Sequence, residues 1–94
     1  MFVCALRVEI HIGHSHSLKE RRAVVRPLIE GIRNRFGVAV AEVGFQDTWQ
    51  RAAIGIAAVG SAEHQVTEVL DSVDRFIWSW PEIEVTETER TWLD

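Results

Sequence analysis

Phe2-Val3-Cys4-Ala5-Leu6-Arg7-Val8-Glu9-Ile10-His11-Ile12 alternates strictly, breaks at Gly13, and is followed by Ser17-Leu18-Lys19-Glu20. Phe2, Cys4, Leu6, Val8, Ile10 and Ile12 fall on one face, and Val3, Ala5, Arg7, Glu9 and His11 on the other. Successive side chains of extended backbone point to opposite sides, so a period of two reads as a strand with one buried face. Ser17 and Glu20 have the S-x-x-E spacing of a capping box, in which hydroxyl and carboxylate satisfy exposed N–H groups of the first helical turn. Leu18, Val25, Leu28, Ile29, Ile32 and Phe36 then recur at helical spacing and define the buried stripe of an amphipathic helix. Gly37 is placed to stop this helix. Pro27 lacks an N–H and is expected to kink it, and Gly31 loosens it further.

Further along, Val38 to Phe45 and Trp49 to Val59 are rich in strand formers, with Gln46-Asp47-Thr48 between them as the turn of a β-hairpin. The second of these strands puts Ala52, Ile54, Ile56 and Ala58 on one face, and Trp49, Arg51, Ala53, Gly55, Ala57 and Val59 on the other. Ser61 is placed to cap a second helix whose stripe is Val66, Val69, Leu70, Val73, Ile77 and Trp80, with Pro81 ending it. Ile83 and Val85 alternate with Glu82 and Glu84 as a last strand, which the acidic tail from Thr86 to Asp94 either extends or leaves frayed. The order βαββαβ is the split-βαβ plan of an α+β, ferredoxin-like fold. It predicts a four-stranded antiparallel sheet with two helices on one face, strands one and three central, strands two and four at the edges.

The chain has 94 residues, enough for a single ferredoxin-like domain over residues 1–94 and no second core. A chain this short buries a modest share of its surface, so oligomerisation is a natural supplement to its stability. Cys4 is the single cysteine, which excludes an intramolecular disulfide. Arg7, Glu9 and His11 interrupt the apolar start, so no signal peptide and no membrane span are read, and a cytoplasmic protein is expected.

Charge is unevenly spread. Lys19, Arg21, Arg22, Arg26, Arg33 and Arg35 lie between Ser17 and Phe36 against only Glu20 and Glu30, a local charge of +4. The formal net charge is −4, so the rest of the chain carries −8. Lys19, Arg22, Arg26 and Arg33 advance by three, four and seven residues and form one stripe away from the core. A stripe of long cations can neutralise successive phosphates and release their counterions, so the six basic residues are candidate RNA contacts. The competing reading is a solvated helix whose charges pair with Glu30 and with the acidic second helix.

The face of the sheet away from the helices is the second candidate. RNA-recognition domains of similar plan stack bases on aromatics of strands one and three, but strand one offers none on this face. Trp49, Arg51, Ala53, Gly55 and Ala57 instead suggest contact with a second copy of the chain, since exposed apolar faces usually mark interfaces. His11, His14 and His16 form an H-x-x-H-x-H cluster whose imidazoles suit zinc or copper, although no carboxylate or thiolate completes a site, so no metal or other cofactor is assigned. The loop from Ser15 to Lys19 precedes a helix N-terminus, where anions are favoured, yet no nucleophile–base pair accompanies it and no enzyme activity is expected. Trp80 belongs to the second helix's core stripe, whereas Trp78 and Trp92 lie off it and are candidates for partner contact.

Ser17-Leu18-Lys19-Glu20-Arg21-Arg22, Arg33-Asn34-Arg35-Phe36, Glu42-Val43 and Gln46-Asp47-Thr48-Trp49-Gln50-Arg51-Ala52 together resemble the YlxP-like family of small bacterial proteins of unknown function. Gly44-Phe45 departs from the more polar pair expected before Gln46-Asp47. The resemblance implies a ferredoxin-like fold and genes that often lie among those of translation and ribosome-maturation factors. It supplies no catalytic residue. The expectation is a non-enzymatic accessory protein that contacts ribosomal RNA or a ribosome-assembly intermediate. A homodimeric protein-interaction module is the alternative, and a histidine-loop metal binder the third.

Overall fold

A computed structural model describes residues 1–93; Asp94, expected as the end of the acidic tail, lies outside the described residues. The elements are β1 (Phe2–His11), α1 (Leu18–Arg35), β2 (Ala39–Gly44), β3 (Arg51–Gly60), α2 (Glu63–Trp78) and β4 (Glu84–Leu93). All strand pairs are antiparallel, in the order β2-β3-β1-β4. This is the expected ferredoxin-like arrangement, with β1 and β3 in the centre. Cys4, Leu6, Val8, Ile10 and Ile12 of the first alternation are buried, while Phe2 at the strand's end is partly exposed.

Both helices cover this one face. Val24, Val25, Leu28 and Ile32 of α1 and Val66, Leu70, Val73 and Ile77 of α2 join Ala52, Ile54, Ile56 and Ala58 of β3 in one core. Each buried Val, Leu or Ile side chain contributes about 1.5–3 kcal/mol through the water it no longer meets. Cys4 lies within this core, and burial pushes its thiol pKa above the ordinary value, which leaves it an inert apolar side chain.

The capping box forms, with a variation. The Glu20 N–H donates to Ser17 Oγ at 3.0 Å, and Glu20 Oε2 accepts from the His16 N–H at 2.9 Å, one residue further back than the usual partner. α1 continues through Pro27 as one element, and both Pro27 and Ala23, whose carbonyl the ring deprives of a donor, are exposed. Gly37 does not end the helix in a left-handed conformation, for no described glycine has a positive φ. The chain leaves at Phe36 in an extended conformation, with the Phe36 ring set edge-on against Phe76. At α2 the cap is Ala62 rather than Ser61. Gln65 caps backwards, its Oε1 accepting from the Ala62 N–H and from the Ser61 hydroxyl.

The tail extends the last strand. β4 runs alongside β1 until Leu93 lies opposite Val3, with one irregularity where β1 passes from Glu9 to Ile10. Thr86 is the extra residue there, and its hydroxyl donates to the Glu9 carbonyl at 3.2 Å.

Candidate functional site

The six basic residues of α1 separate into different roles. Lys19, Arg22 and Arg26 are exposed on the outward face and form no ion pair among the described residues. Arg33 also faces outward, but it pairs with Glu30 and its Nη2 donates to the Val40 carbonyl at 3.3 Å, tying α1 to β2. Arg35 lies beside aromatic rings, its guanidinium carbon 5.9 Å from the Phe36 centroid and 5.6 Å from that of Phe76.

Arg21 is not a surface contact at all. It is 2% exposed. Its Nε donates to the Arg51 carbonyl at 3.0 Å, and its Nη2 donates to the Phe45 carbonyl at 3.2 Å and pairs with the Glu42 carboxylate. The expectation that Arg21 meets RNA is therefore corrected. It stands three and four residues before Val24 and Val25, which places it on the buried face, and that spacing was the available signal.

Around Arg21 the β2–β3 connection is fastened at several points. Phe45 has a φ of 59°, in the left-handed region that side chains rarely adopt. Its carbonyl accepts from Arg21 and, at 3.0 Å, from the Thr48 N–H, which closes the turn. Its ring lies 3.8 Å from the Arg51 guanidinium carbon, a close cation–π contact. Trp49, expected on β3, sits instead in the turn before Arg51 and is 55% exposed, because this connection consumes six residues rather than three.

On the far side of the sheet Glu9 accepts from Arg7 at 2.5 Å and from Arg51 at 3.2 Å. The Arg7 hydrogen bond is the main reason the Glu9 carboxyl lies below its ordinary pKa, with Arg51 adding to it. A depressed carboxyl pKa contributes stability above the ordinary value of 4.5, which is lost as the pH falls through the lower folded value. Glu9→Gln is thus expected to flatten the acid side of the stability–pH profile below about pH 4.5, leaving the neutral side parallel. Chemical denaturation at stepped pH measures this, and an unchanged acid limb would show that Glu9 carries none of it.

Residues proposed for self-contact also separate. Ala53 is fully buried, contrary to its expected place in an open interface. Arg7 and Gly44 crowd it: a Cβ on Gly44 would lie 3.2 Å from Ala53 Cβ and 3.3 Å from Arg7 Nη2. Gly55 is covered by Val43, since an added Cβ would lie 2.7 Å from Val43 Cγ1. Ala57 and Arg51 remain exposed. The exposed apolar part of this face lies toward the other end of the strands, where Ala39, Ala41, Val43, Ala57, Val59 and Leu93 are all exposed. Sequence alternation names the face but not what lies over it.

The histidines do not converge. His11 lies at the end of β1, His16 is exposed, and His14 Nε2 sits 3.0 Å from Glu82 Oε2. Among the described residues no group of three or more His, Cys, Asp or Glu is placed to hold a metal ion. At the start of α1 the N–H groups of His16 and Glu20 are already bonded, and the Glu20 carboxylate stands where an anion would have to enter. The loop is held by Gln50, whose Nε2 donates to the Gly13 and Ser15 carbonyls, both at 3.1 Å. No helix among the described residues is long and apolar enough to cross a membrane. Trp80 packs against Phe76, with ring centroids 5.5 Å apart, while Trp78 is exposed.

Residues 3–90 match the family described as "Protein of unknown function (DUF503)". The chain is also similar to "Uncharacterized protein YlxP" of Bacillus subtilis (strain 168), 49% identical over 85 residues that cover 90% of this chain and 92% of the relative. With a family match across almost its whole length and so similar a relative, the chain belongs to the DUF503, YlxP-like family of proteins of unknown function.

Proposed function

We propose that the protein is a non-enzymatic accessory factor that contacts RNA through the outward face of α1, with ribosomal RNA or a ribosome-assembly intermediate as its target. One observation carries this: Lys19, Arg22 and Arg26 are exposed, in phase, and unpaired among the described residues of a chain whose net charge is −4. An acidic protein that leaves three neighbouring cations without carboxylate partners has a surface suited to a repeating anion. Three phosphate contacts predict weak binding of low sequence specificity, falling with log salt at a slope of about −2 to −3.

Co-sedimentation with ribosomal particles at low salt tests this. Wild type should associate, and Arg22→Glu/Arg26→Glu should lose association by about tenfold or more, since each exchange removes a contact and adds a repulsion. Equal behaviour of the two, or no association of wild type, would reject it.

A homodimeric interaction module is the second proposal, supported by the exposed apolar group formed by Ala39, Ala41, Val43, Ala57, Val59 and Leu93. Sedimentation of wild type should give a concentration-dependent dimer that Ala57→Glu dissociates. A monomer at every concentration would remove the dimer.

A further inference from the structure

Beyond the α1 stripe, a depression beside the end of α1 is lined by Arg35, Phe36, Ser72, Arg75, Phe76 and Ser79. Arg35 is nine residues from Arg26, half a turn round the helix, so it faces α2 and not the outward stripe. Two guanidiniums thus share one small concavity with two hydroxyls over a floor of two edge-on rings.

What distinguishes this place is that neither of its two arginines has a carboxylate partner among the described residues. Glu30, the nearest acid before Arg35 on α1, is taken by Arg33. Asp71 stands four residues before Arg75, the spacing at which a helical ion pair forms. It is instead held by Arg90 of β4, at 2.8 Å. Arg35 and Arg75 therefore make no ion pair among the described residues, and no acidic residue lines the depression. Among the described residues, Arg75 Nη2 donates to Ser72 Oγ alone, at 3.2 Å.

Cations in a last helical turn also complement the helix dipole, and that effect has to be weighed. Each helix end carries about half a negative charge. Even if both ends act fully, roughly one of the two positive charges remains. The last turns are in addition partly satisfied internally, since the Ser79 N–H donates to the Arg75 carbonyl at 3.1 Å and the Phe36 N–H to the Ile32 carbonyl at 3.0 Å. Dipole complementation accounts for one arginine, not for two brought together.

We propose that this depression is a phosphate-binding site. The two guanidiniums offer the charged, multiple N–H donors that phosphate oxygens accept. Ser72 and Ser79 line the same depression, but their hydroxyls already donate to the Glu68 and Phe76 carbonyls, at 3.1 and 2.8 Å, so the two guanidiniums carry the recognition. Phe36 and Phe76 supply an apolar wall on which the remainder of a nucleotide can rest. The site goes beyond the RNA reading of the α1 stripe, because it uses none of Lys19, Arg22 or Arg26.

Isothermal titration calorimetry with inorganic phosphate, in a chloride buffer of low ionic strength, tests it. Wild type should show saturable one-site binding. Arg35→Gln/Arg75→Gln should weaken it by about tenfold or more, and Arg22→Gln/Arg26→Gln should leave it within about twofold. Both pairs are exposed, and circular dichroism of each variant verifies its fold. If the pocket pair fails to fold, Arg75→Gln alone takes its place. Adenosine monophosphate as a second probe separates the sources: tighter binding than phosphate assigns a nucleotide, equal binding a free phosphate, and either supports the site. No saturable binding by wild type, or equal weakening in both pairs, would overturn it. Neither outcome touches the ribosome co-sedimentation, which reads the stripe alone.

Discussion

Arg21→Met is expected to lower the unfolding free energy by about 3 kcal/mol, the low end of what removing one partner of a buried ion pair costs. The low end applies because the Glu42 side chain keeps 22% of its exposure and so regains some water. Methionine retains most of the apolar stem but none of the donors. The Phe45 and Arg51 carbonyls and the Glu42 carboxylate all lose their charged partner at once. Since a domain of this size has only about 5–15 kcal/mol in total, the loss is a large share. Arg21→Met/Glu42→Leu should recover part of it, because no unpaired charge then remains. Urea unfolding of the three proteins measures these effects. A loss below about 1 kcal/mol for Arg21→Met would show that the buried arginine is dispensable. The turn should loosen as well, since Phe45 holds its left-handed backbone with an Arg21 bond on its carbonyl.

Ile54→Ala is expected to cost about 3–4 kcal/mol, within the usual range for truncating a fully buried isoleucine. Ile54 is fully buried, lies opposite Val8 on the central pair of strands, and belongs to the core that both helices cover. Neither helix can close the space without leaving its other contacts, so most of the cavity should persist. Val59→Ala, on the same strand but the opposite face and 65% exposed, should change the monomer's stability by less than about 0.5 kcal/mol. Denaturant midpoints at low protein concentration give both values. If Val59→Ala matters only at high concentration, the exposed apolar face is contributing through self-association.

How much of this was legible depended on how local each signal is. The alternation of β1 and the Ser17/Glu20 spacing are local, and both produced the element they announce. The βαββαβ order followed, because few arrangements of those elements bury every apolar face. Arg21 was misread because a cation's partners are not local: Glu42 is 21 residues away and Phe45 is 24. Counting charge along a helix cannot tell a guanidinium in water from one that clamps a distant turn. Its phase with Val24 and Val25 did carry the answer, against the strength of its charge. Ala53 shows the same limit on a strand, where period two assigns the face but not the Arg7 and Gly44 that close over it. For the candidate sites, the Lys19, Arg22 and Arg26 stripe was readable from spacing. The Arg35 and Arg75 depression was not, since it depends on Arg90 drawing Asp71 away.

The position of β1 has a consequence for how the chain acquires its shape. Its partners are β3 and β4, so β1 is flanked by the strand farthest from it along the described residues. Until residues 84–93 leave the ribosome, one edge of the central strand has no hydrogen-bonding neighbour. Such distant pairings are slow to close, and an open edge during synthesis invites pairing with other chains. The nascent chain is therefore vulnerable until β4 has emerged, and deleting β4 should drive it towards aggregation.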